Sequence, residues 1–178
     1  MKTVIFAATA AALLSAAPAF AQADSFVGPR AEVVAGYDAV KTNSNGLGTP
    51  DGFLYGIGLG YDVRVSSAVL GLEAELADAT TKYNFTGGSI DASRDIYVGA
   101  RAGLPIGDIA LAYVKAGYTN ARFEANGFGS EKLDGLRLGA GLEYKLGTNL
   151  FVKGEYRYSN YEQDVVRHQV VGGLGIRF

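Results

Sequence analysis

Hydrophobic and polar positions trade places along most of this chain. From Arg30 onward, eight separate stretches alternate an apolar residue with a polar one or a glycine. A β-strand sends successive side chains to opposite faces, so this period of two marks a sheet whose faces meet different surroundings. The clearest stretch is 52–63, where Phe53, Tyr55, Ile57, Leu59, Tyr61 and Val63 interleave with Gly56, Gly58, Gly60 and Asp62. Stretch 135–146 is as regular, with Leu136, Leu138, Ala140, Leu142, Tyr144 and Leu146 set against Arg137, Gly139, Gly141, Glu143 and Lys145. The others are 30–39, 69–77, 95–104, 109–119, 150–158 and 169–178. Each is 9–12 residues long, close to the ~9–11 that a tilted strand needs to cross a bilayer.

The spacers alternate too. Spacers 40–51, 78–94, 120–134 and 159–168 are long and polar, whereas 64–68, 105–108 and 147–149 are short. An eight-stranded, antiparallel, up-and-down transmembrane β-barrel has this rhythm, with short periplasmic turns and long extracellular loops. No helical period lies between the strands, which excludes a parallel α/β fold.

Period two alone does not say which phase points inward. A soluble barrel buries the apolar phase, and a membrane barrel turns it to lipid. Three features predict the second. The polar phase mixes long charged side chains with glycines, which make room for them in a narrow interior. Its charges nearly balance. Arg30, Arg101, Lys115, Arg137, Lys145, Lys153, Arg157 and Arg177 oppose Glu32, Asp38, Asp62, Glu73, Glu75, Glu143 and Glu155, and buried charges must be paired. Tyr37, Tyr61, Tyr118, Tyr144 and Tyr158 sit near the ends of the apolar phase, where interfacial aromatic girdles fall. The predicted interior is a structural charge network of Glu32, Glu73, Glu75, Arg101, Lys115, Arg137, Glu143, Lys153, Glu155 and Arg157. The competing reading of the same charges is an ordinary solvated face.

The first residues follow a different logic. Lys2 precedes an apolar run, Val4 to Ala17, then Pro18 and Ala19-Phe20-Ala21. This is the layout of a cleaved secretory signal peptide. It predicts two regions, a signal peptide at 1–21 and a barrel domain at 22–178. Composition agrees with strands. Glycine contributes 25 of 178 residues and proline four, where ordinary proteins have ~7% glycine and ~5% proline. The net charge of −2 and the absence of a basic cluster exclude a nucleic-acid footprint. The lack of cysteine excludes disulfides and thiolate metal sites.

The segment GAGLEYKLGTNLFVKGEYRYSNY at 139–161 and the terminal GLGIRF at 173–178 carry a resemblance. They are similar to the small porin-like outer-membrane β-barrel proteins, a group that includes the OmpA transmembrane domain, the opacity proteins and the Omp25/Omp31 proteins of alphaproteobacteria. The resemblance implies residence in the cell outer membrane of a Gram-negative bacterium, among outer-membrane lipids and lipopolysaccharide. It also implies that Leu174, Ile176 and Phe178 form the signal read by the barrel-assembly machinery. A plain interfacial aromatic at Phe178 is the simpler role, compatible with the first.

The expected function is structural or weakly pore-forming, because eight strands enclose an interior filled by side chains. The alternative is a surface-binding protein that displays four loops to an unspecified partner. A lipid-modifying enzyme is the third reading. It would need partners around His168, the single histidine, and no such set is visible. Glu73 and Glu75 share a face, but salt bridging explains them more simply than paired-carboxylate catalysis. Gly56-x-Gly58-x-Gly60 lacks the strand-to-helix context of a nucleotide loop. No enzyme activity, catalytic residue, metal or cofactor is expected.

Overall fold

The structure is a computed structural model that describes residues 26–42, 51–80, 82–85, 88–125, 129–161 and 165–178. The expected signal peptide lies outside the described residues. The strands are β1 (Gly28–Thr42), β2 (Asp51–Val65), β3 (Ala68–Ala79), β4 (Lys82–Phe85), β5 (Gly88–Ile106), β6 (Ala110–Ala125), β7 (Gly129–Lys145), β8 (Leu150–Tyr161) and β9 (Val165–Arg177). Eight of them form a closed antiparallel ring in the order β1–β2–β3–β5–β6–β7–β8–β9, and among the described residues β4 pairs with β5 alone. β1 and β9 close the ring from Arg30↔Arg177 to Thr42↔Val165. Closure matters because an open edge cannot be satisfied in hydrocarbon.

Every predicted stretch lies within a strand, give or take a terminal residue. At the short-turn end, Ser66 takes a φ of 56° and Gly107 one of 63°, the left-handed conformation that tight hairpins favour. At the other end the strands outrun the sequence pattern. Spacer 78–94 contains β4 and the start of β5, and spacer 120–134 is mostly the end of β6 and the start of β7. Beyond the membrane both faces of a strand meet water, so the apolar-polar contrast fades while the backbone ladder continues. A register shift between Ala92 and Asp95 also breaks the alternation in β5.

Side-chain phase is as predicted. Leu72 and Leu136 are 70% and 68% exposed, whereas Arg157 and Glu143 are 0% exposed. A water-soluble barrel would show the reverse, since soluble proteins rarely leave so large an apolar patch uncovered. Here lipid covers it. The predicted tyrosines are all exposed on this outer face, Tyr37, Tyr118 and Tyr158 toward the loop end and Tyr61 and Tyr144 toward the turns.

The lumen departs from the sequence expectation in one respect: it is not wholly polar. Phe26, Val69 and Leu111 pack together at the short-turn end, with buried Phe151 entering from the start of β8. Val34, Leu54, Ala77 and Val171 form a second inward cluster, and Ala121, Leu133 and Tyr161 a third. These residues occupy the polar phase of their strands, the first and third clusters near its ends and the second between buried charges, with Val34 between Glu32 and Asp38.

Candidate functional site: an ionic lumen

The polar phase of all eight barrel strands converges on the barrel axis. Among the described residues the buried cations are Arg30, Arg101, Lys115, Arg137, Lys153, Arg157, Arg167 and Arg177. The buried carboxylates are Glu32, Asp38, Asp62, Glu73, Glu75, Asp95, Glu143 and Glu155, so eight face eight. A burial this deep is tolerable only when each charge has a partner and its remaining donors are used.

Near the short turns, Asp62 accepts Arg101 Nε at 2.8 Å and Arg177 Nη1 at 2.6 Å, and Glu143 accepts Arg177 Nη2 at 2.7 Å and Arg101 Nη1 at 3.1 Å. Arg30 links this layer to the next through Asp62 at 3.1 Å, Glu32 at 3.2 Å and Glu73. At mid-barrel, Lys115 bridges Glu73 and Glu155 at 2.8 and 2.9 Å, and Lys153 reaches Glu32 at 2.7 Å. The Tyr113 hydroxyl donates to Glu155 at 2.6 Å.

Arg157 carries the network onward. Its Nε bonds Glu155, and its two terminal nitrogens bond the two oxygens of Glu75 at 2.6 and 2.7 Å. Arg137 then joins Glu75 at 4.0 Å to Asp95 at 2.5 Å. Arg167 joins Asp95 at 3.1 Å to Asp38 at 2.5 Å. The sixteen buried charges are thus one connected chain of ion pairs running from Arg177 to Asp38.

All ten residues predicted for the network are in it. Lys145, counted among the lumenal charges, is a correction. It is half-buried at the barrel mouth, with its ammonium 5.8 Å from the Phe26 ring centre. β7 ends at Lys145, so its long side chain rests on the apolar plug instead of reaching the axis. Asp95 and Arg167 were missing from the sequence count. Asp95 already stood on the polar phase of its stretch. Arg167 lies two residues before Gln169, and extending the parity of that stretch would have found it.

His168 lies on the outer wall. Its Nδ1 is 2.6 Å from the Tyr156 hydroxyl, and its ring meets that of Tyr158 edge-on at 5.4 Å. It is part of the aromatic girdle near the loops. Leu174, Ile176 and Phe178 are likewise exposed on the outer face. The backbone N–H of Phe178 donates to Pro29 O at 2.9 Å, which extends the closing seam by one residue.

An apolar exterior, a closed antiparallel wall and a self-neutralised lumen define an integral β-barrel membrane protein. Comparison with known proteins places it more closely: residues 6–178 match the outer membrane protein beta-barrel domain, and the chain belongs to that family. It is a protein of the cell outer membrane.

The 25 kDa outer-membrane immunogenic protein of Brucella ovis is 27% identical over 146 residues, covering 80% of this chain and 72% of that protein. Its counterpart in Brucella canis is 28% identical over 129 residues, 71% of this chain and 60% of that protein. Among solved structures, Neisserial surface protein A aligns with a TM-score of 0.63 at 18% identity, covering 85% of this chain and 97% of that one. Ail, the attachment invasion locus protein of Yersinia pestis, solved with a heparin analogue, aligns with a TM-score of 0.59 at 22% identity, covering 85% and 99%. The two structural likenesses establish a shared fold.

Proposed function

We propose that the protein is a structural, essentially non-conducting barrel of the outer membrane. The observation that supports this reading is the unbroken chain of ion pairs filling the lumen, closed at the short-turn end by Phe26, Val69, Leu111 and Phe151. An ion entering such a lumen would have to displace bonded partners and pass an apolar plug. The expected result in planar bilayers is no steady large conductance from the full chain. Replacing Phe151, Leu111 and Arg101 together with alanine, which removes two of the four plug side chains and a charge of the layer next to them, should introduce open-channel events. A steady large conductance from the unmodified chain would overturn the closed reading.

The expected lipid surroundings include lipopolysaccharide, and Leu174, Ile176 and Phe178 act as the assembly signal under this reading. Phe178→Ala should then lower the amount of assembled, heat-modifiable barrel in the outer membrane. Equal amounts of the two would remove that role.

A second reading, display of an external binding surface, is favoured by the sheet that β4–β7 extend past the lipid-facing band. It also accords with relatives named for immunogenicity and with the attachment name of Ail. Its check is proteolysis of intact cells, which should cut within 82–94 or 120–134 if this end faces outward.

A further inference from the structure

The outer wall carries two furrows, side by side in the half of the membrane nearest the short turns. One encloses about 750 Å³ between Tyr61, Leu70 and Leu72 on one side and Leu138 on the other. The second encloses about 730 Å³ between Leu104 and Leu142. Alanines of β5, β6 and β7 floor them. Ala100 and Ala116 lie in the first, Ala112 and Ala140 in the second, and Ala102 in both. Val114 also lines both. It shares a cross-strand row with Ala102 and Ala140 and is 59% exposed, so its side chain stands as a ridge between two strips of methyl groups.

Both furrows lie on the lipid-facing phase between the aromatic girdles, so only a membrane component reaches them. A second copy of the chain fits poorly. A two-fold contact sets the same patch against itself, furrow over furrow, and leaves both unfilled. Between apolar surfaces in lipid the attraction is van der Waals packing alone, so the furrows select by shape. Two channels flanking one ridge suit the two chains of a diacyl lipid. The polar end of such a lipid falls at the short turns. Val63 and Leu70 flank the hairpin that holds Ser66 and Ser67, and Leu104 and Ala112 flank the one that holds Asp108. Ser66, Ser67 and Asp108 are exposed. Among the described residues the cations at this end, Arg30, Arg64, Lys145 and Arg177, all stand on the lumenal phase. The rim beside the furrows therefore offers hydroxyl donors for a phosphate and a carboxylate for an ammonium, and it repels a purely anionic headgroup.

We propose that this face binds one diacyl phospholipid of the leaflet at the short turns, its two chains straddling Val114 and its ammonium headgroup held by Asp108. The inference rests on the lipid-facing wall and is independent of whether the lumen conducts.

The test uses the full chain refolded at low density in phosphatidylcholine vesicles. They carry a trace of diacyl phospholipid with a photoreactive diazirine in one acyl chain and either an ethanolamine or a glycerol headgroup. After irradiation the label should fall within 98–116 and 136–142. The ethanolamine lipid should label these segments about threefold more than the glycerol one. Asp108→Asn should bring the two headgroups level. Ala102→Leu with Ala112→Leu fills both floors and should spread the label around the wall, whereas Ala35→Leu, on the exposed face of β1, should leave it in place. The chain has no cysteine, so Ala102→Cys reports a second copy: under oxidation it should form no more dimer than Ala35→Cys. Label spread evenly over the unmodified barrel, equal labelling by the two headgroups, a preference that survives Asp108→Asn, or a dimer specific to Ala102→Cys would each overturn the proposal. Heat-modifiable gel mobility confirms that each variant is folded.

Discussion

Arg157→Leu probes the ionic lumen directly. Arg157 is fully buried and holds both oxygens of Glu75, at 2.6 and 2.7 Å, while its Nε serves Glu155. Removing the guanidinium leaves seven buried cations (eight minus one) against eight carboxylates. Glu155 keeps Lys115 at 2.9 Å and Tyr113 at 2.6 Å. Among the described residues Glu75 then keeps only the distant Arg137 at 4.0 Å. Stranding one buried partner costs ~3–5 kcal/mol, a large fraction of the ~5–15 kcal/mol that holds a typical domain together. Glu75→Leu should also destabilise, though by less, since it leaves the two terminal nitrogens of Arg157 without their carboxylate while the Nε keeps Glu155. Removing both restores seven against seven and puts two apolar side chains where the pair lay. The double variant should therefore be more stable than either single one, with a coupling of about 3 kcal/mol, because replacing an entire buried pair is often close to neutral. Urea unfolding of protein refolded in phospholipid vesicles, followed by far-ultraviolet circular dichroism and by gel mobility, measures all four corners of the cycle. If Arg157→Leu costs under about 1 kcal/mol, or if the double variant loses the sum of the singles, lumenal water is solvating these charges and the dry network is wrong.

Two other perturbations test the walls. Leu59 lies midway along the outer face of β2 and Val65 at its short-turn end, so Leu59→Arg should cost ~2–4 kcal/mol and Val65→Arg ~0–1 kcal/mol. Equal costs in the same vesicle unfolding assay would refute the assigned membrane depth. A methyl group at Gly71 would overlap the Asp62 carboxylate, while one at Gly154 meets nothing within 4 Å. Gly71→Ala should therefore destabilise by ~1–3 kcal/mol and Gly154→Ala by less than ~0.5 kcal/mol; similar midpoints for the two would contradict the packing.

Much of this architecture was legible in the chain because lipid and lumen impose opposite demands on alternate residues. Ile57 and Glu143 declare their faces without help from neighbours. Legibility stopped where that contrast stops. Gly88 to Ala92 and Asn120 to Ala125 are strand by hydrogen bonding to adjacent strands, a cause that no local pattern records. Phe26, Leu111 and Phe151 were not recognised as a plug, since an apolar residue on the polar phase reads locally as noise. Their role depends on three distant segments meeting at one end of the barrel. Which acid meets which base was equally hidden. Lys153 bonds Glu32 from 121 positions away, and only ring closure brings β1 beside β9.

The glycine excess has a specific cause once the registers are known. Arg30 lies opposite Gly60, Glu32 opposite Gly58, Lys115 opposite Gly139 and Lys153 opposite Gly173. In each case a Cβ on the glycine would sit within 3.0 Å of the facing side chain. Long charged residues therefore lie flat across the neighbouring strand, in space that only glycine leaves open. A slip of two residues would keep every apolar side chain in lipid, so the membrane alone does not select the register. The same slip would drive Arg30 onto Gly58 or Asp62 instead of Gly60, and would move Lys153 off Gly173 onto Gly175 or Val171 and away from Glu32. Lipid selects the phase of each strand. A slip in one direction would still set Arg30, Glu32, Lys115 and Lys153 over glycines (Gly58, Gly56, Gly141 and Gly175), so the acid–base pairs, such as Lys153 with Glu32, are what distinguish the register within that phase.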